Sequence, residues 1–304
     1  MDFEVIIDSS LLHLGIEDGI DPALNKWLLS VINDFEDGRW RQQKFENFIW
    51  DNIAQTALSQ KEREALQGQP QSLLVAAARN LRLTDTEQDI GKGSELAEIV
   101  LYGIMRHKYA ALPVVPKIFY KQNTQDNTKG ADSVHVVVEP NGEFSLWFGE
   151  AKFYTSIEEA RLSSIVESVQ NSLDTEKLKK ENAIITNLAD LDRLDIDPEL
   201  RLKIRNALAN RNSIDLIKKL INIPILLLHE CSLTAQATEK TAEYIAAVKE
   251  YHKARAIAYF RKQVAALRGI FKYVDVRFHL ILFPVPKKQP IVDRFLGSVA
   301  FYRG

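Results

Sequence analysis

Two long, almost uninterrupted apolar runs in the C-terminal third constrain the fold of this chain most. Residues 223–231 and 274–283 consist mainly of Ile, Leu, Val and Phe, which is typical of central strands buried on both faces of a sheet. Between them, residues 235–268 have the length and periodicity of a long helix. Strands that alternate with helices predict an α/β fold, with a mixed central sheet covered by helices on both faces.

The rest of the chain divides into an N-terminal part and a core. The pattern from residue 21 to residue 83 is mainly helical, so we expect a mainly helical part over 1–88 that packs on a core over 89–304. Residues 174–220 are rich in Lys, Asp and Asn with helical periodicity and predict a helical insertion. The remaining expected elements are strands at 3–7 and 117–120 and helices at 91–109, 157–172 and 291–299.

Composition excludes several classes of protein. The net charge of −2 gives no overall basic field, so affinity for DNA must come from local patches or from a partner. The single cysteine, Cys231, rules out an internal disulfide framework and favours a cytoplasmic location. The first residues lack a basic signal-peptide region, and no apolar stretch reaches 18 residues, so we expect no membrane span.

The main candidate catalytic residues lie on an acidic hairpin. Apolar strands at 134–138 and 144–148 flank a Pro-Asn-Gly turn, with Asp132 before the first strand and Glu150 and Lys152 after the second. A three-residue loop pairs Glu139 with Glu143 and places Asp132 opposite Glu150, with Lys152 on the same face. A four-residue loop would place Asp132 opposite Ala151 instead. The sequence leaves both loop lengths open.

These residue types suit a metal-dependent phosphodiesterase. Carboxylates hold Mg²⁺ or Mn²⁺ through oxygen, the cation polarises a phosphoryl oxygen and activates water, and an ammonium offsets developing negative charge. The alternative is a structural salt bridge, because an Asp followed by Glu-x-Lys also occurs by chance. The charged pair interrupts the apolar run from Leu146 to Tyr154, and polar groups there are costly unless they have partners.

Three further side chains are candidates for supporting roles. On the helix before the hairpin, Glu95 flanks the apolar stripe, whereas Glu98 lies nearly opposite it and is expected in solvent. Gln170 on the helix after the hairpin could orient a water or a phosphate. The six histidines offer no metal-ligand spacing, and Gly91-Lys92-Gly93 lacks the spacing of a phosphate loop, so we expect no nucleotide bound by this chain.

The order of these motifs resembles the PD-(D/E)xK nuclease superfamily. The matching positions are a helix with Glu95 or Glu98, a strand with Asp132, a strand with Glu150 and Lys152, and a helix with Gln170. Ala131 stands where a proline often precedes the aspartate. A narrower resemblance, to the HamA family of the Hachiman anti-phage system, spans most of the chain. It rests on the Gly-Ser-Glu-Leu-Ala-Glu helix, Lys-Gly-Ala-Asp at 129–132, Trp-Phe-Gly-Glu-Ala-Lys at 147–152 and Ile-Pro-Ile-Leu-Leu-Leu at 223–228.

The resemblance implies a bacterial defence effector that degrades DNA with Mg²⁺ or Mn²⁺. Asp132, Glu150 and Glu95 would bind the metal, and a superfamily 2 helicase subunit (HamB-like) would hold the effector inactive until infection. The alternative is a non-catalytic adaptor of the same fold that docks on a helicase or on DNA. The expected DNA contacts are Lys117, Lys121, Lys129, Lys179, Lys180, Arg201, Lys203, Arg205, Lys287 and Lys288.

Overall fold

A computed structural model describes residues 3–10, 20–83, 93–116, 118, 131–179, 192, 196–209 and 212–304. The strands are β1 (Glu4–Ser10), β2 (Lys26–Ile32), β3 (Phe35–Glu36), β4 (Arg39–Trp40), β5 (Leu112–Val115), β6 (Ser133–Val138), β7 (Phe144–Tyr154), β8 (Ile221–Glu230) and β9 (Arg277–Val285). The helices are α1 (Gln42–Ala57), α2 (Gln60–Ala65), α3 (Pro70–Asn80), α4 (Ser94–Tyr109), α5 (Glu159–Ser172), α6 (Pro198–Ala207), α7 (Ile214–Ile217), α8 (Ser232–Gln236), α9 (Ala242–Leu267) and α10 (Lys288–Arg303).

Seven of the described strands form one mixed sheet in the order β1-β2-β9-β8-β7-β6-β5. The four central strands β2, β9, β8 and β7 run parallel to one another. The strands outside them, β1 on one side and β6 and β5 on the other, are antiparallel. β8 is buried along nearly its whole length, as its apolar sequence predicts. The predicted mixed α/β architecture is therefore confirmed.

Helices cover both faces of this sheet. On one face α5 and α9 pack on even-numbered residues of β7 such as Phe148. On the other face α1, α3, α4 and α10 pack together, and α4 lies against odd-numbered residues of β7 such as Ala151. The alternation of side chains along β7 thus assigns each residue to one helical layer. This assignment decides which helices can reach the acidic hairpin.

The N-terminal stretch differs from the expectation of a mainly helical part. Residues Lys26–Ile32 form β2, an inner strand between β1 and β9, and the helices begin only at Gln42. The prediction was wrong here because a short apolar run such as Trp-Leu-Leu-Ser-Val-Ile fits a buried strand as well as a helix. The strands β1 and β2 therefore belong to the same sheet as the hairpin.

Most other elements agree with the sequence prediction to within a few residues at their ends. The strand expected at 3–7 is present as β1, and the helical character expected for 174–220 holds for the described α6 and α7. The strand expected at 117–120 lies mostly outside the described residues, although Ile118 is helical. The strand of this region is β5 instead, five residues earlier.

Candidate active site

The hairpin has the register of a three-residue loop. β6 and β7 pair from Val138 with Phe144 through Ser133 with Gly149, and the Glu139 amide donates to the Glu143 carbonyl at 2.8 Å. Of the two loop lengths that the sequence leaves open, the structure therefore has the shorter one. One step beyond the last pair, Asp132 and Glu150 follow on neighbouring strands.

Asp132 continues the pairing of the two strands beyond the end of β6, through its backbone and its side chain. Its backbone amide donates to the Gly149 carbonyl at 2.7 Å, and its Oδ2 accepts from the Ala151 amide at 3.0 Å. Gly149 permits this close approach, because a Cβ there would lie 2.1 Å from Ser133 Oγ and 2.7 Å from Leu101 Cδ2. A larger residue at 149 would push apart β6, β7 and α4 next to the acidic pair.

The three predicted hairpin residues meet at one ammonium group. Lys152 Nζ lies 2.5 Å from Glu150 Oε1 and 3.2 Å from Asp132 Oδ2. Only 6% of Glu150 is exposed, whereas 26% of the Lys152 side chain is exposed. The site is therefore a partly buried cluster of two carboxylates around one cation, open on the lysine side.

The pKa values of Glu150 and Lys152 are both raised, and the shift at Lys152 indicates the role of that side chain. Burial raises the pKa of Glu150, and the Asp132 charge raises it further, against the opposing effects of Lys152 and Ser168. Burial lowers the pKa of Lys152, but the charges of Asp132 and Glu150 outweigh it and raise that pKa above its usual value. Lys152 is thus an ammonium at neutral pH, suited to stabilising charge and unsuited to accepting a proton.

Ser168 is a member of this cluster that sequence reasoning missed. Its hydroxyl, on α5, donates to Glu150 Oε1 at 2.6 Å. Gln170, the residue we singled out on the same helix, is exposed and lies about 200° around the helix from Ser168. Both positions flank the apolar stripe of Leu162, Ile165, Val166 and Val169 on opposite sides, so the pattern alone could not indicate which flank faces β7.

The two acids on α4 are placed differently from our expectation. Glu95 is tied to the segment after α3, because its two carboxylate oxygens accept from the amides of Arg82 and Leu83, each at 2.8 Å. Glu98, expected in solvent, is only 5% exposed. The prediction for Glu98 was wrong because every residue of α4 from Glu95 to Met105 is buried, so the helix has no solvent face there.

Glu98 lies on the side of α4 that faces the hairpin. One turn further along, Leu101 packs against Gly149, and the ring of Tyr102 lies 4.7 Å from that of His135 on β6. Glu150 and Lys152, however, point to the opposite face of the sheet. Accordingly, no three His, Cys, Asp or Glu side chains lie together as a metal-binding group anywhere in the described part of the chain.

The donor set fits a hard divalent cation that keeps most of its water. Two carboxylates are the usual protein contribution to a Mg²⁺ site, with waters and substrate oxygens completing the octahedron. Within the described residues, both hydrogen bonds to the Glu150 carboxylate end on Oε1, which leaves Oε2 as the oxygen for a cation. Residues Asp132 and Glu150 could therefore hold Mg²⁺ or Mn²⁺.

Two of the histidines are used in the core. His229 Nδ1 lies 3.0 Å from the Glu230 carbonyl, which can only accept, so the proton of neutral His229 is on Nδ1. His229 Nε2 then accepts from His252 Nε2 at 3.1 Å, and His252 Nδ1 accepts from the Ser30 hydroxyl at 2.5 Å. Burial lowers the pKa of His229 to about 4 and that of His252 well below its usual range. This chain of neutral groups ties β2, β8 and α9 together.

Among the described residues, most of the cations that we expect to contact DNA have acidic neighbours. Lys179 pairs with Glu176, Lys203 lies 3.9 Å from Glu143, and Arg205 pairs with Asp192. Lys287 contacts Glu230 at 3.3 Å, and Lys288 is 3% exposed. The one remaining cation in the described part, Arg201, also has a partner. The other expected contacts lie outside the described residues: Lys117, Lys121, Lys129 and Lys180.

Comparison with known proteins identifies the family. A family model described as HamA matches residues 8–298, nearly the whole chain. The chain belongs to the HamA family. It is therefore a Hachiman defence protein, and the matched range includes the hairpin, α4 and α5. No curated protein matches the chain. Across the described residues, no helix is both long enough and apolar enough to cross a membrane.

Proposed function

We propose that this HamA-family chain is a divalent-metal-dependent DNase effector that hydrolyses phosphodiester bonds. The observation that carries the proposal is the meeting of Asp132 and Glu150 at the ammonium of Lys152, at 3.2 and 2.5 Å. A buried glutamate and a neighbouring lysine whose pKa values are both displaced, in a partly open site, are the kind of feature that favours a functional role.

Asp132 and Glu150 would hold Mg²⁺ or Mn²⁺. The bound cation would polarise a phosphoryl oxygen and lower the pKa of a water. Lys152, charged at neutral pH and next to both ligands, would offset the negative charge that builds up on the phosphate in the transition state. Neither helix acid is placed to reach this cluster: Glu95 binds two backbone amides, and Glu98 lies on the other face of the sheet.

We also propose that a helicase subunit delivers the DNA and restrains this chain until infection. The near-neutral net charge and the ion pairs of Lys179, Lys203 and Arg205 favour a nuclease that does not capture DNA by its own field. The partner itself, a superfamily 2 helicase, follows from the HamA resemblance and not from the geometry.

The test is plasmid cleavage by the purified chain with Mg²⁺, with EDTA and with Lys152→Ala. We expect metal-dependent nicking or degradation that falls about 10²–10³-fold in the variant, the usual effect of losing one such electrostatic group. Lys240→Ala is the matched control, since it removes a partly exposed lysine that pairs with Glu4 on β1, at the other edge of the sheet, and it should leave cleavage unchanged.

A second arm adds the helicase partner and ATP. Cleavage that appears only with the partner, and is lost with Lys152→Ala, supports a nuclease that its partner controls. Intact DNA in both arms at high protein concentration would refute the nuclease and favour the non-catalytic adaptor.

A further inference from the structure

Three serines follow one another at intervals of one turn along α5: Ser164, Ser168 and Ser172. The outer two satisfy their hydroxyls within the helix, Ser164 on the Arg161 carbonyl and Ser172 on the Val169 carbonyl, each at 2.8 Å. Ser168 differs, because its hydroxyl leaves the helix and donates to Glu150 at 2.6 Å. Of these three serines, Ser168 is therefore the one that contacts the acidic hairpin.

The geometry at Glu150 gives this hydrogen bond a specific consequence. Lys152 Nζ and Ser168 Oγ both donate to Oε1, from β7 itself and from the helix that covers it. Two donors from different elements fix the rotation of the carboxylate, whereas a single flexible lysine would not. The plane of the carboxylate, and so the direction of Oε2, depends on the serine.

We propose that Ser168 is a positioning residue that sets the affinity of the site for its divalent cation. This inference rests on the proposed function, since it takes Glu150 to be a metal ligand. Groups that hydrogen bond to a ligating side chain typically change metal affinity or activity 10–100-fold when removed. The hydroxyl of Ser168 lies where β7 and α5 meet and contacts Glu150, so it would act through the orientation of that carboxylate.

The experiment compares Ser168→Ala, Ser168→Thr and Ser172→Ala in the full chain. Mn²⁺ affinity is measured by calorimetry, and the Mg²⁺ midpoint of plasmid cleavage is measured in parallel. We expect Ser168→Ala to weaken Mn²⁺ binding and to raise the Mg²⁺ midpoint by about 10–100-fold. Ser168→Thr keeps the donor and should stay within a few-fold of the wild type. Ser172→Ala removes a hydroxyl that serves only its own helix, and it should change neither quantity.

Each outcome bears on a different claim. A lower melting temperature for Ser168→Ala with unchanged Mn²⁺ affinity would mean that the serine only tethers α5 to β7, which overturns the inference and leaves the nuclease proposal intact. A wild-type chain that binds no Mn²⁺ and cleaves no DNA overturns both. If Ser168→Ala does not fold, Ser168→Cys gives the same comparison, because a thiol has similar size and is a weak donor.

Discussion

The charge balance of the metal-free site makes a prediction about stability that separates a nuclease from a structural salt bridge. Two carboxylates, Asp132 and Glu150, share one ammonium, so the site carries a net charge of minus one. In Glu150→Gln the amide oxygen can still accept from Lys152 and Ser168, while the repulsion between the two carboxylates disappears. We therefore expect the free energy of unfolding without metal to stay unchanged or to rise by about 1 kcal/mol, the scale of one net hydrogen bond.

Lys152→Met should act in the opposite direction. It leaves two largely buried carboxylates facing each other without a cation, and removing one partner of a buried ion pair costs about 3–5 kcal/mol. Because 26% of the Lys152 side chain is exposed, solvent screens part of this loss, and we expect about 3 kcal/mol. Mg²⁺ at a hundred times its dissociation constant should return about 2.7 kcal/mol through binding to the folded state alone.

Urea unfolding of the three proteins, with EDTA and with saturating Mg²⁺, measures all of these free energies. In a purely structural ion pair, Glu150→Gln would itself cost several kcal/mol, because Lys152 would lose its closest partner, and Mg²⁺ would restore nothing to Lys152→Met. That pair of results would refute our account of the site. Equal urea slopes among the variants confirm that the denatured states are comparable.

Three further outcomes follow from the structure. Glu95→Gln should lower the free energy of unfolding in urea by about 1.5–3 kcal/mol through a lost charge-assisted bond to Arg82 or Leu83. It should leave Mn²⁺ affinity in calorimetry unchanged, and so should Glu98→Gln, because Glu98 lies on the face of the sheet opposite to Glu150 and Lys152. Weaker Mn²⁺ binding in either variant would contradict our placement of these acids. Tyr259→Phe should raise the melting temperature, because its phenol is fully buried and hydrogen bonds to nothing in the described part of the chain. A fall would mean that the hydroxyl has a bound water. Burial raises the pKa of Glu150 above its ordinary value of 4.5. The contribution of this carboxyl group to the stability of the metal-free protein is therefore fully present below pH 4.5, and it is lost as the pH rises through the raised pKa. Stabilisation by Mg²⁺, followed as a melting-temperature shift, should grow over the same pH window, and Glu150→Gln should abolish this dependence.

The central part of the site could be predicted from the sequence because it depends on local geometry. Asp132, Glu150 and Lys152 lie on one hairpin, and once the loop has three residues their register follows from the pleat of the strands. The apolar runs of β8 and β9 likewise predict buried central strands without any knowledge of the rest of the fold.

The parts that were missed depend on contacts between elements distant in sequence. Glu98 is buried because α1 packs against α4. The sequence of α4 alone does not indicate that a second side of this helix is buried. The choice between Ser168 and Gln170 depends on how α5 is rotated against β7 and α9, which only their packing decides. The strand β2 was read as helix because its strand partners, β1 and β9, lie elsewhere in the chain.

The same charge balance suggests that the site would bind a phosphate differently with and without a divalent cation. Without metal, the net charge of minus one repels a phosphodiester, and Lys152 is already engaged by both carboxylates. If Asp132 and Glu150 bind a divalent cation, as we propose, the net charge would become plus one. That charge would match the single negative charge of a phosphodiester, and the cation would weaken the attraction of the carboxylates for Lys152. Metal binding would then create the phosphate site as well as the nucleophile. For that reason, DNA affinity at the hairpin should itself depend on Mg²⁺ in a variant that cannot cleave.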